Sequence, residues 1–240
     1  MALVRLLLCV LIIGSGLANA APGYSKNTVQ LGLSSLYFQP LYKGENHNSY
    51  ILPVIDAQYQ GFYFRGLELG YLLEQSYKQE VVLAVAADKF SVYDMPDSSR
   101  AKGKQDALNL KAGISRFYGN QIFSASLATD FSQVHDGSQV ELSWFYSWYA
   151  GSKILYGGVY GYWYDRLLTE HYFSPESPSS YKSRDAWILA PAISLDVYAG
   201  EHWQWQVGMM LDFYSPQIYQ SPLIEGNKRL LSMFSIAHNF

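Results

Sequence analysis

The sequence has 240 residues, 49% of them hydrophobic and 16% aromatic, and its 17 Lys+Arg against 20 Asp+Glu give a net charge of −3. An ordinary soluble domain is about a quarter charged, so 15% is low, while 21 Tyr and 6 Trp are many. Such a chain is not intrinsically disordered and offers no basic footprint for nucleic acid. After its first 20 residues it has no run of about 18 apolar residues that would make a membrane-spanning helix.

Residues 1–20 read as an export signal. Arg5 supplies a positive start, Leu6 to Ile13 form a short apolar core, and Ala18-Asn19-Ala20 is an A-x-A cleavage site, so Ala18 and Ala20 are the cleavage residues. The only cysteine, Cys9, lies in this segment, and Leu8 stands before it where a lipoprotein signal needs a small residue. Residues 21–240 then form a single domain without disulfides, held by burial and backbone pairing.

Beyond the signal, the chain alternates. Expected strands fall at 28–40, 50–59, 79–90, 106–118, 121–133, 138–150, 153–165, 184–199, 202–214 and 228–240. In the most regular of them, Val140, Leu142, Trp144, Tyr146 and Trp148 take one parity and Gln139, Glu141, Ser143 and Ser147 the other. A period of two puts these sets on opposite faces of a strand. No stretch shows a helical period. Runs of about 10–13 residues exceed the usual strand and match tilted strands that cross a bilayer. A soluble sandwich also alternates, but aromatics such as Tyr118, Tyr149, Trp163, Trp203 and Tyr214 collect near strand ends, as interfacial girdles require.

Short turns at Gln60-Gly61, Gly119-Asn120, Gly151-Ser152 and Gly200-Glu201 read as periplasmic; the longer polar segments, such as 91–105 and 166–183, read as outer loops. The stretch Phe62 to Leu73 begins and ends at periplasmic turns, so it must add an even number of strands, a short hairpin bending at Gly66. The expected fold is therefore all-β, a transmembrane antiparallel up-and-down β-barrel of 12 strands with ten as the alternative, in the Gram-negative outer membrane among its lipids. Phe240, closing the last apolar strand, looks like the terminal signal read by the barrel assembly machinery.

The order of short motifs carries a resemblance. Pro40-Leu41-Tyr42-Lys43-Gly44 is followed by Leu52-Pro53-Val54-Ile55-Asp56-Ala57-Gln58-Tyr59, then Phe62-Tyr63-Phe64-Arg65-Gly66 and Leu69-Gly70-Tyr71. Tyr172-Phe173 before Pro175, and Ser221-Pro222-Leu223-Ile224 ahead of the last strand, continue the pattern. This series resembles the MipA/OmpV family of outer-membrane proteins. The resemblance implies a non-enzymatic scaffold: one member is named for its interaction with a membrane-bound lytic transglycosylase and is thought to tether it to a bifunctional murein synthase. Other members are described as porin-like or adhesin-like. The family has no catalytic residue set to carry over.

Ionisable residues expected to face the lumen are the residues' own functional hint. By parity these are Asp56, Glu80, Asp88, Asp130, Glu141, Asp196 and Asp212, with Lys111 and Arg65. An acidic interior would favour cations in a narrow diffusion pore; alternatively the charges pair with each other or with Arg100, Lys102 and Lys104 from a folded-in loop. Tyr172, Phe173 and Tyr181 are either exposed receptor aromatics or packing for the rim. The sequence gives no metal-ligand spacing and no cofactor motif. His135-Asp136 near Asp130 is the best catalytic candidate, although such a pair is usually turn chemistry.

Overall fold

In the computed structural model, residues 27–44, 48–87, 107–175 and 181–240 are described. Ala18, Ala20, Asp88, Arg100, Lys102 and Lys104 lie outside the described residues. The strands are β1 (Asn27–Phe38), β2 (Asn48–Tyr59), β3 (Phe62–Arg65), β4 (Glu68–Gln75), β5 (Gln79–Ala87), β6 (Leu108–Tyr118), β7 (Gln121–Asp130), β8 (Ser138–Ala150), β9 (Lys153–Tyr164), β10 (Ala186–Ala199), β11 (Trp203–Tyr214) and β12 (Lys228–Asn239). Each pairs antiparallel with its sequence neighbours, and β1 closes on β12 from Gln30↔Asn239 to Phe38↔Leu231. The barrel thus has 12 strands, and the hairpin at Gly66 exists. Closure leaves no edge facing lipid, where an unpaired backbone group would cost several kcal/mol.

The alternation decides what each face meets. Leu142, Trp144 and Trp148 of β8, Trp187, Leu189 and Ile193 of β10, and Trp205, Val207 and Met209 of β11 are all exposed on the outside of the barrel. Their neighbours Ser147, Asp196, Gln204, Gln206 and Asp212 are buried inside. Exposed apolar residues on every strand make the outer surface a lipid-facing band. The turns follow suit: Gln60 and Gly61 both have positive φ, 49° and 91°, as a two-residue hairpin of matching twist requires.

β3 is only four residues long and pairs with Asp56–Tyr59 at the end of β2. One further bond follows, from the Gly66 N–H to the Ile55 carbonyl at 3.3 Å. Pro53, two residues earlier, turns the same backbone edge toward this side. No ladder bond is formed there among the described residues, so its missing N–H costs nothing.

Among the described residues two helices depart from the sequence expectation: α1 (Arg166–Phe173) and α2 (Pro216–Tyr219), in the loops after β9 and β11. Eight residues are barely two turns, too short for a 3.6-residue period to stand out. What starts α1 is local chemistry, since the Asp165 carboxylate caps it by accepting the Leu168 N–H at 2.9 Å.

The buried core is inside the barrel and continues upward into these loops. Leu36, Leu52, Val54, Phe145, Tyr156, Tyr160, Met210, Leu231 and Met233 form one cluster with Leu41, Leu168, Phe173, Ile218 and Ile224 of the loops. Gly158 admits the Phe145 ring: a Cβ there would lie 2.5 Å from it and 2.2 Å from the Trp144 carbonyl.

Candidate functional site

The lumen wall from β3 to β8 gathers charge. Arg65 Nη1 reaches Glu80 Oε1 at 2.9 Å, and Lys111 Nζ reaches Glu68 Oε2 at 2.7 Å. Asp56 lies directly across from Arg65 in the β2–β3 ladder. Glu141 sits across from Ser126 on β7 and Tyr162 on β9. Register thus gathers Asp56, Arg65, Glu80, Lys111 and Glu141 in one region of the wall, with Glu68 and Tyr63 added. Sequence reasoning missed those two. The signal was present: Glu68, Gly70 and Leu72 share one parity of β4, opposite the exposed Leu69, Tyr71 and Leu73. Tyr63 donates to Glu68 and holds the Arg65 guanidinium 4.6 Å from its ring centre.

Asp196 and Asp212 lie on the other side of the lumen and do not join this cluster. Asp196 is fully buried and ends a chain of amides. Gln204 Nε2 donates to its Oδ2 at 3.0 Å, and Gln30 Nε2 donates to Gln204 Oε1 at 2.7 Å and to Asn239 Oδ1 at 3.0 Å. Asp212 pairs instead with Arg229, a buried cation that the sequence reading did not single out. The lumen therefore answers most of its charges from its own wall.

Asp130 is at the outer end of β7, and its carboxylate serves the loop. Oδ2 accepts the N–H groups of Val134, His135 and Asp136 at 2.7–3.0 Å, and Oδ1 accepts the Ser132 N–H and hydroxyl. His135 is buried, and its Nδ1 accepts the Gly137 N–H at 2.8 Å. With the carboxylate occupied by amides and the imidazole packed 5.5 Å from His171, the pair builds a turn rather than a poised base.

Above this turn the outer loops pack into a cap. Asp165 Oδ2 accepts the Ser138 N–H at 2.8 Å while its Oδ1 caps α1, tying the β7–β8 loop to the helix. Tyr42 donates to the Tyr172 carbonyl at 3.0 Å, Ser221 to the Phe173 carbonyl at 2.5 Å, and Tyr181 to the Gln217 carbonyl. Tyr172 and Phe173 are buried, so they hold the cap down onto the rim and are not receptor aromatics.

The periplasmic end has the opposite character. Its turns are two or three residues long, and Tyr59, Tyr77, Tyr118, Tyr149, Trp203 and Phe240 stand exposed around it. His238 joins this girdle by stacking on His202 at 5.3 Å and meeting Trp203 edge-on at 4.9 Å.

Comparison with known proteins bears on this architecture. A family described as MltA-interacting protein MipA matches residues 31–240. The outer membrane protein YiaT of Escherichia coli, from O157:H7 and from strain K12, is 25% identical over 223 residues, covering 88% of this chain and 91% of the relative. Among solved structures, the CymD monoaromatic hydrocarbon channel covers 96% of this chain and 93% of its own at 8% identity, with a TM-score of 0.44. A bacterial polysaccharide outer membrane secretin covers 90% and 99% at 12% identity, also with a TM-score of 0.44. Both superpose too loosely to speak to function.

Proposed function

This outer-membrane β-barrel belongs to the MltA-interacting protein MipA family, and from that premise we propose that it is a non-enzymatic scaffold. It recruits a membrane-bound lytic transglycosylase, and with it a bifunctional murein synthase, at the periplasmic face. The observation that carries this reading is the family description over nearly the whole chain. The geometry supports it in two ways. The outer loops pack over β1 and β9–β12 through Tyr42, Tyr172, Phe173 and Ile218, and the lumen charges are largely paired with one another. The periplasmic rim, in contrast, is ringed by exposed aromatics on short turns. A stable interface buries roughly 800 Å² on each partner, so several turns must act together.

Mild cross-linking in whole envelopes, followed by purification of the tagged barrel, tests the scaffold. Enrichment of a transglycosylase or murein synthase over an unrelated barrel is the expected result. Their absence, with the barrel well recovered, sinks it. The same purified material tests the proposed export signal, because N-terminal sequencing should begin at Ala21.

A further inference from the structure

Along β6, β7 and β8 the inner wall is built from small residues. Gly113, Ser115, Ser124, Ser126 and Ser143 fall in two cross-strand rows, Ser115–Ser124–Ser143–Tyr160 and Gly113–Ser126–Glu141–Tyr162. None of the five fills its share of the lumen. A cavity of about 130 Å³ opens over them, bounded by the rings of Phe117, Phe145 and Tyr160. On the same measure one water needs only about 15 Å³.

The five acidic and basic side chains on this cavity do not balance. Arg65 and Glu80 neutralise each other at 2.9 Å, as do Lys111 and Glu68 at 2.7 Å. Glu141 is the remainder: it makes no hydrogen bond or ion pair within 4.0 Å among the described residues, and at longer range it feels the Lys111 ammonium, already engaged by Glu68, and the Tyr160 phenol. One carboxylate therefore faces the cavity without a cation of its own.

We propose that this cavity binds a small organic ammonium, with Glu141 as its counter-ion. Serine hydroxyls beside Glu141 accept N–H bonds: Ser126 lies directly across the ladder from it, and Ser115 and Ser124 share a single bond at 2.9 Å that leaves lone pairs free. Phe145 and Tyr160, 4.8 Å apart and tilted, offer ring faces that attract an alkylated cation. An alkali ion has no alkyl group to set against the rings, and its selective sites are rings of carbonyl oxygens, which this cavity does not present. An anion would have to displace Glu80 or Glu68 from cations that they already hold.

The test is equilibrium dialysis of the folded barrel in detergent with labelled methylammonium. Saturable binding at one site per barrel is expected, competed by ethylammonium and tenfold or more less sensitive to potassium. Glu141→Gln, which keeps the shape and removes the charge, should weaken binding at least tenfold, and the exposed-loop variant Glu225→Gln should not change it. Should Glu141→Gln lose the heat-modifiable gel shift of a folded barrel, Ser126→Leu provides the second variant, filling the cavity without touching the charge, and it too should weaken binding at least tenfold. Absence of saturable binding to the wild type, undiminished binding in a folded variant, or equal competition by potassium each overturns the proposal.

Discussion

Arg229 Nη2 donates to Asp212 Oδ2 at 3.2 Å from directly across the β11–β12 ladder, and both side chains are sealed from solvent. Removing one member of such a pair leaves a buried charge unanswered, which typically costs about 3–5 kcal/mol. Arg229→Met, which strands the buried Asp212 carboxylate, is therefore expected to lower urea stability in detergent by that amount. The double variant Asp212→Leu/Arg229→Met should recover most of the loss. A double variant as unstable as the single one would mean that the pair does more than neutralise itself.

The outward residues make a second prediction. Ile193 and Leu142 are about half exposed on the barrel exterior, midway along their strands. A lysine or arginine on the lipid face near the bilayer centre costs about 2–4 kcal/mol. Ile193→Lys should lower the yield of folding into vesicles, whereas Ser194→Ala, the neighbouring inward position, should leave it near wild type. Equal yields from all three chains would place Ile193 away from lipid.

The cap depends on a close approach at Gly137. A Cβ there would lie 2.6 Å from the Leu168 nitrogen and 2.8 Å from Asp165 Oδ1, so Gly137→Ala must push α1 off the β7–β8 loop. Asp165→Ala removes the acceptor of both the Leu168 and Ser138 amides, at a cost of about 1–2 kcal/mol. In intact cells both variants should expose the segment 166–175 to added protease while the barrel core stays protected. Unchanged resistance in both would show that the aromatic packing of Tyr172 and Phe173 holds the cap without these contacts.

For the scaffold, the rim aromatics are the lever. Tyr77 is exposed at the β4–β5 turn, with Lys78 Nζ 5.2 Å from its ring. Replacing Tyr77 and Tyr118 together by serine should reduce recovery of the cross-linked murein enzyme several-fold with unaltered barrel abundance. A fall in barrel abundance of the same size would assign these rings to membrane anchoring instead.

Much of the barrel was legible in the sequence because a period of two is a local property. Each strand declares which face is apolar, and the even-number rule forced a hairpin into Phe62–Leu73 that alternation alone left ambiguous. The inward parity of Asp56, Arg65, Glu80, Lys111 and Glu141 could be read in the same way. The bulge between Leu72 and Glu74 and the start of β4 at Glu68 escaped, since a register shift is set by the partner strand. The two helices escaped because they are shorter than the window in which a helical period accumulates.

By itself the sequence determined the alternation, the lipid-facing surface and the inward parity of Asp56, Glu80, Lys111 and Glu141, since these follow from side-chain order along one strand; it left the strand count at 12 or ten, and closure of the sheet decided 12. Only the tertiary structure decided which charges answer one another. Arg229 is 17 residues from Asp212 and Lys111 is 43 from Glu68, and those distances collapse only when cross-strand register is fixed. The same register left Glu141 over a floor of serines, and it set Asp130 beneath the candidate pair His135-Asp136 as the frame of a loop. Pairing energy falls off over a few ångströms, so it is written in the closed sheet rather than along the chain.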